Sequence, residues 1–295
     1  MIWKEITLEE KKAMDAFYEY RTSMGCEQCF ANNFLWAPYY ETKVGYVEDC
    51  MVFYTGKKDS VSFPIGPDPW KALEALREEY RKNGRKFRMG LVTPQQFEWL
   101  EQKYPGIYQI QYERNCADYI YESKSLIELT GKKLHAKRNH INRFRENHPD
   151  WSFEVITSAN VAECVEMAEE WRMQHPNGED PDVKTELTVT LKALRYREEL
   201  GLDGGLLRAG GKVLAFALGE PVTDDAYVVH IEKAFGTVQG AYPMINREFA
   251  AQFAGNYTYV NREEDMGEEG LRKAKLSYNP AILYEKGTVT LLEER

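Results

Sequence analysis

The chain has 295 residues, 43% of them hydrophobic and 13% aromatic, which fits about two folded domains of roughly 150 residues and excludes a disordered chain. Its formal net charge of −9 excludes a wholesale nucleic-acid coat, although a local basic patch can still hold an anion. Five cysteines, an odd count, exclude a disulfide framework and fit a reduced cytoplasmic protein.

The opening MIWKEITLEEKKAM turns charged at once, so no signal peptide is expected there. No apolar run approaches the ~20 residues that span a bilayer, so lipid contact is expected to be peripheral at most. Thr7–Tyr20 reads as a helix, and Tyr39–Tyr46, Cys50–Thr55 and Ser60–Ile65 as strands joined by polar turns. Trp70–Lys82 is a helix closed by Asn83-Gly84. Phe87–Val92 is a strand, Pro94–Tyr104 a helix, and Ile107–Tyr112 and Ala117–Tyr121 are strands.

The second half opens on a basic helix, Leu126–Asn147, followed by a strand at Trp151–Ile156. Helices follow at Val161–His175 and Glu186–Leu200, then three strands at Gly204–Arg208, Lys212–Pro221 and Ala226–Ala234. A glycine-bearing loop leads into a helix from Pro243 to Phe253. Tyr257–Asn261 is a strand, Glu268–Leu276 a helix, and Ala281–Leu292 a final strand pair. Both halves thus run from helices through an antiparallel meander to helix, strand, helix and strand. The expected class is α/β (α+β), with domains at residues 1–122 and 123–295, each a mixed, mostly antiparallel sheet flanked by helices.

Three stretches carry polar groups in patterns that suit chemistry. The first is Glu232–Pro243, where a strand ends, two glycines follow and a helix begins. Free N–H groups and the helix dipole at such a start suit a phosphate, and a plain strand-to-helix turn is the competing reading. The second is Asn261–Pro280. Glu263 and Asp265 lie just past a strand's carboxyl end, where open α/β sheets place ligands, and the phenol of Tyr278 can donate a proton. Acids at a short helix's start and bases at its end also make a well-capped surface helix. The third is Gly131–Arg145, with six Lys/Arg and no acid, a face for phosphates or for solvent.

Other features carry less. Cys26 and Cys29 have CxxC spacing but no second pair and no nearby histidine, so no metal site is expected. His135 and His140 do not share a helix face. His230, in a strand pattern, reads as a packed or hydrogen-bonded histidine. There is no Walker loop, Rossmann fingerprint or Ser-His-Asp order.

The runs GKKLHAKRNHINRF, HIEKAFGTVQGAYPMINREFA and NREEDMGEEGLRKAKLSYNPAILYEK resemble a family of bacterial proteins related to the C-terminal, catalytic domain of phosphatidylglycerol lysyltransferase. The resemblance covers essentially the whole chain. It implies tandem GNAT-like (acyl-CoA N-acyltransferase-like) domains, similar in architecture to Fem-type aminoacyltransferases, in which two strands splay around the donor. It also implies transfer of an acyl or aminoacyl group from aminoacyl-tRNA or acyl-CoA to an amine or hydroxyl acceptor.

Gln239, Gly240 and Ala241 fall where a GNAT loop holds donor phosphates, although the usual loop carries more glycine and a basic residue. Arg262, Lys273 and Lys275 belong to the family motif, and Lys137, Arg138 and Asn139 to its basic helix. The expected roles are Glu232, Glu263 or Asp265 as proton acceptor and Tyr278 as proton donor to the leaving group. The lysyltransferase's membrane-spanning half has no counterpart here. No resident cofactor is expected, and the oligomeric state is not legible. Two rival readings are a non-catalytic binding or regulatory module on the same fold, and direct docking of RNA on the basic helix.

Overall fold

A computed structural model describes residues 2–174 and 177–292. In chain order the strands are β1 Lys4–Glu5, β2 Thr42–Val47, β3 Cys50–Thr55, β4 Ser60–Val61, β5 Arg88–Val92, β6 Tyr108–Tyr112 and β7 Asp118–Glu122, then β8 Ser152–Val155, β9 Asp203–Ala209, β10 Lys212–Pro221, β11 Ala226–Ala234, β12 Tyr259–Asn261, β13 Ile282–Tyr284 and β14 Gly287–Leu291. The helices are α1 Lys11–Asp15, α2 Phe30–Tyr40, α3 Pro69–Lys82, α4 Pro94–Lys103, α5 Ser123–Glu128, α6 His135–Asn147, α7 Val161–Gln174, α8 Pro181–Arg195, α9 Arg197–Leu200, α10 Ala241–Phe253 and α11 Glu269–Leu276. His175, the expected end of α7, lies outside the described residues.

The chain forms two compact units. One holds residues 1–118, 264–268 and 283–295, the other 119–263 and 269–282. The first unit's sheet runs β1-β2-β3-β4-β5-β14-β6, and the second's β7-β12-β11-β10-β9-β8. In each, a three-strand antiparallel meander (β2-β3-β4, β9-β10-β11) is followed by a helix, α3 or α10. That helix returns the chain to a strand parallel to the last, β5 beside β4 and β12 beside β11. The expected mixed, mostly antiparallel sheets flanked by helices are thus present.

The domain boundaries differ from the expectation at 122/123, because each sheet recruits a strand from the far side of its own module. β7 follows the first module in sequence but pairs antiparallel with β12. β14 ends the chain yet lies between β5 and β6 of the first sheet. The two strands expected at Ala281–Leu292 are present as β13 and β14.

Local chemistry explains most elements. α3 starts because Asp68 accepts the Lys71 N–H at 3.2 Å and Pro69 supplies a preset φ. Its Ala72, Leu73, Leu76 and Tyr80 are buried in the first core with Val52, Met89 and Val289. α4 opens on a Thr93–Gln96 capping box. β10 is buried from Val213 to Gly219 without alternation, as a central strand with α7 and α10 packed on it must be.

Two further expectations fail. The basic helix is broken into α5 and α6, with Leu129 (φ 50°) and Gly131 (φ 81°) turning left-handed between them. The strand expected at Tyr39–Tyr46 begins only at Thr42, because Tyr39 and Tyr40 end a helix, Phe30–Tyr40. The helix's run FANNFLWAPYY is apolar on most sides, which hides the helical period, and Pro38 sits near its end.

Candidate functional site in the second unit

The parallel pairing of β11 with β12 ends at Val228 and Asn261, while β11 continues to Ala234. β12 itself ends there, and side chains of the segment that follows it lie against β11. His230 and Glu232 stand two apart on β11 and so share a face. Each meets one residue of the segment leaving β12. His230 Nδ1 lies 2.7 Å from Glu263 Oε1 and its Nε2 3.1 Å from Glu220 Oε1. Arg262 Nη2 donates to Glu232 Oε1 at 2.9 Å.

The turn that presents Arg262 is tightly held. The buried Asn261 accepts the Glu263 N–H at 2.7 Å, and Glu263 takes φ 58°, a costly value for a residue other than glycine. Lys275, nearly buried at the end of α11, donates to the carbonyl oxygens of Arg262 (2.6 Å) and Glu263 (3.2 Å). Tyr121 in turn donates to Lys275 O at 2.7 Å.

Around Arg262, polar side chains gather against two aromatic rings. The guanidinium lies 4.8 Å from the Tyr278 ring centre and 5.7 Å from that of Tyr121. Lys137 of α6 brings its Nζ 4.0 Å from the same Tyr278 ring. Asn246 of α10 donates to Glu232 Oε2 at 3.0 Å. Two buried atoms have no hydrogen-bond partner, the donor Arg262 Nη1 and the acceptor Asn246 Oδ1. An unmet buried polar atom costs roughly 1–3 kcal/mol, so each of these atoms calls for a partner, a water or a ligand, beyond the side chains around it.

The charges are tuned by this setting. Burial, with the neighbouring Arg262 adding to it and Glu232 opposing, brings the Lys137 ammonium down to about 8. Burial also pushes the Tyr278 phenol up despite Arg262, so it holds its proton at neutral pH. Burial works against the Arg262 charge, but Glu232 with Tyr121 and Tyr278 together outweigh it and hold the guanidinium protonated.

The structure thus brings together Glu232, Arg262, Tyr278 and Lys137 of the expected site residues. Glu263 is near in sequence but engaged with His230. Lys275 serves the backbone, and Lys273 is exposed with Glu269 3.9 Å away. Asp265 belongs to the first unit, where it is fully buried, accepts from Arg114 at 3.2 Å and closes a turn on the Gly267 N–H at 2.9 Å. Gln239 is exposed and Ala241 buried. A Cβ built on Gly240 (φ 84°) would stand 2.1 Å from the carbonyl oxygen of His140, so this glycine makes room for α6. Arg138 donates to Leu129 O and, at 2.9 Å, to Gly131 O, and Asn139 meets the His135 side chain at 3.2 Å.

Asn246 and Tyr121 are partners the sequence reading missed. A polar residue among the buried Met244, Ile245, Phe249 and Ala250 of α10 was the available signal for Asn246. In the first unit, the buried Lys286 ammonium lies 2.8 Å from Asp118 and 3.0 Å from Glu27, beside the Cys26 thiol. There Cys26, Asp118 and Glu264 come close enough to hold a cation, and Lys286 brings a positive charge of its own. Cys29 instead donates to Cys26 O at 3.2 Å.

A family model described as phosphatidylglycerol lysyltransferase, C-terminal, matches residues 18–286. A crystal structure of a conserved protein of unknown function from Bacteroides thetaiotaomicron superposes with a TM-score of 0.91 at 38% identity, covering 99% of this chain and 100% of that one. The structure of L-PGS from Bacillus licheniformis superposes with a TM-score of 0.66 at 13% identity, covering 100% and 95%. An uncharacterized protein of Mycoplasmoides gallisepticum is 23% identical over 236 residues, which cover 79% of this chain and 74% of that protein. Among the described residues, no helix is long and apolar enough to cross a membrane.

Proposed function

The chain belongs to the family of the phosphatidylglycerol lysyltransferase C-terminal domain, and from that premise we propose that it is an acyl- or aminoacyl-transferase whose chemistry runs at Glu232, Arg262, Tyr278 and Lys137. Its donor is an activated acyl ester or thioester, aminoacyl-tRNA or acyl-CoA, and its acceptor an amine or hydroxyl. The observation that carries the reading is the largely buried Glu232–Arg262 pair with two unmet polar atoms beside it.

Each group has a role in the transfer. The acceptor's nitrogen or oxygen attacks the donor carbonyl carbon, and Glu232 takes the proton that this attack releases. The developing oxyanion accepts from Arg262 Nη1, held in place before the reaction begins. Collapse breaks the bond to the donor's oxygen or sulfur, and the Lys137 ammonium, titrating at about 8, protonates the leaving group. The Tyr278 ring backs both cations.

The test is a transfer assay with purified protein, charged tRNA or acyl-CoA, and a panel of amines and alcohols. Arg262→Lys keeps the charge but loses the fork, and is expected to cost roughly 10²–10³-fold in rate. Transfer that persists undiminished in Arg262→Lys and in Glu232→Gln would remove this assignment. The rival binding-module reading draws on Glu232, whose two oxygens already meet Arg262 and Asn246. Ligand-induced thermal stabilisation without turnover by any acceptor would favour it.

A further inference from the structure

We propose that β6 is a self-association surface, on which a second copy of this chain adds its own β6 antiparallel and joins the two first-unit sheets into one. Such pairing is independent of the transferase reading.

An open sheet edge invites pairing with another chain, and proteins blunt their edges with short strands, charge or proline. In the first unit one edge is blunted that way, since β1 is only the two charged residues Lys4–Glu5. In the second unit the outer strand β8 carries Glu154, which pairs with Arg208. β6 has no such device. It reads Tyr-Gln-Ile-Gln-Tyr, with no charge, no proline and no glycine over its 5 residues. Among the described residues, no strand pairs with its outer side. Gln109, Gln111 and Tyr112 are exposed and Ile110 is half-buried.

The register with β14 fixes which backbone groups face outward. Glu113 N–H donates to Lys286 O at 2.9 Å, and Leu292 N–H donates to Ile107 O at 2.8 Å. Antiparallel pairing alternates along a strand. Residues 107, 109, 111 and 113 therefore direct their N–H and C=O groups to β14, and Tyr108, Ile110 and Tyr112 turn theirs outward.

The sequence of β6 is the same in both directions about Ile110. A two-fold axis through Ile110 sets Ile110 against Ile110 of the second copy, and Tyr108 against Tyr112. Outward-facing residues then meet only outward-facing residues, and each of their N–H groups finds a C=O group across the axis. A slip of one residue loses this, because it opposes outward groups to groups already bonded within the sheet.

The side chains agree with that register. Tyr108 belongs to the first core and Ile110 packs against it, and Tyr112 shares their face. Ile110 and Tyr112 of the second copy extend this apolar face, and exposed Tyr112 becomes covered. The charges are complementary. Arg77 lies 5.7 Å from the Tyr108 ring centre, whereas burial and the nearby Glu285 carboxylate push the Tyr112 phenol up. Opposing Tyr108 to Tyr112 of the second copy brings Arg77 of each chain toward Glu285 of the other. On the opposite face Gln109 meets Gln111 of the second copy, two amides that both donate and accept.

One strand pair is smaller than the interfaces of roughly 1,200–2,000 Å² that hold stable complexes, so the expected dissociation constant is on the order of 10–100 µM. Sedimentation equilibrium of the full chain across that range is expected to show a monomer–dimer equilibrium. Gln109→Lys with Gln111→Lys opposes like charges across the axis and is expected to weaken the dimer on the order of tenfold. Gln109→Lys with Gln111→Glu opposes lysine to glutamate at both contacts and is expected to restore the wild-type affinity or exceed it. Both positions are exposed, and unfolding midpoints check that each variant stays folded. A wild type that remains monomeric through the range would overturn the proposal, as would a dimer of equal strength in all three proteins. Weakening of the lysine–glutamate variant to the level of the double-lysine variant would refute the two-fold register, and the proposal with it.

Discussion

Breaking the Glu232–Arg262 pair from either side tests whether it is a tuned functional pair or an incidental contact. Glu232→Gln keeps the side-chain volume and an acceptor for Asn246 but removes the charge. It leaves Arg262, whose side chain is 11% exposed, facing Lys137 with no counter-ion. Losing one partner of a buried pair typically costs about 3–5 kcal/mol, against less than about 1 kcal/mol for a surface pair. For a unit of this size that is a drop in Tm of roughly 6–20 °C. Arg262→Met removes the cation instead, and the Glu232 carboxylate then has Lys137 as its nearby counter-ion.

The two variants therefore move Lys137 in opposite directions. Glu232 holds its pKa up and Arg262 holds it down, so from about 8 it falls in Glu232→Gln and rises in Arg262→Met. Urea unfolding gives the stability cost, and pH-dependent acylation of Lys137 read by mass spectrometry gives its titration. Costs below about 1 kcal/mol in both variants, or shifts of Lys137 in the same direction, would refute the electrostatic account.

Lys137 also gives the transfer rate a pH limb: it falls as the ammonium is lost through about 8, and Lys137→Arg, which stays charged, flattens that limb in a pH–rate profile. Because the folded pKa lies below that of the unfolded chain, the unfolded state binds more protons between about 8 and the ordinary lysine value of roughly 10.4, so stability rises with pH across that window. Unfolding midpoints of Lys137→Met over the same range are expected to lose this rise. Gly240→Ala meets the His140 carbonyl at 2.1 Å from a left-handed backbone and is expected to cost roughly 2–4 kcal/mol in thermal unfolding; retained stability would show that α6 yields readily.

Much of the architecture was legible because it depends on local signals. Alternation and turn residues marked the meanders, and Asp68-Pro69 and Thr93-Pro94 marked helix starts. The exchange of β7 and β14 was not legible, since a strand's pattern shows that it pairs but not with what. The left-handed Leu129 was equally hidden, because no glycine or asparagine stands at that position to announce the break. Among the candidate residues, Glu232 and Arg262 drew notice in the sequence because they sit where a strand ends and the chain turns, and Tyr278 because a phenol follows a short helix. Asn246 was lost inside an otherwise apolar helix face, where only burial shows that a polar group has work to do.

The motif from Asn261 to Tyr278 reads as one site in sequence, yet its residues divide the labour. Asn261, Glu263 and Lys275 hold a strained turn, and Asp265 closes a turn in the other unit. Of this motif's residues, Arg262 and Tyr278 are the ones grouped with Glu232. The strain at Glu263 has a geometric use. A relaxed, extended residue there would carry the chain on beside β11, where β12 pairs up to Val228. The left-handed turn comes two residues after the last paired position, and Arg262 between them reaches Glu232 while Glu263 reaches His230. The buried His230, bonded to Glu263 from one side and Glu220 from the other, then holds the turn onto β11. His230 thus positions Arg262 through Glu263, and the imidazole that reads as ordinary packing in the sequence is part of what holds the turn in place.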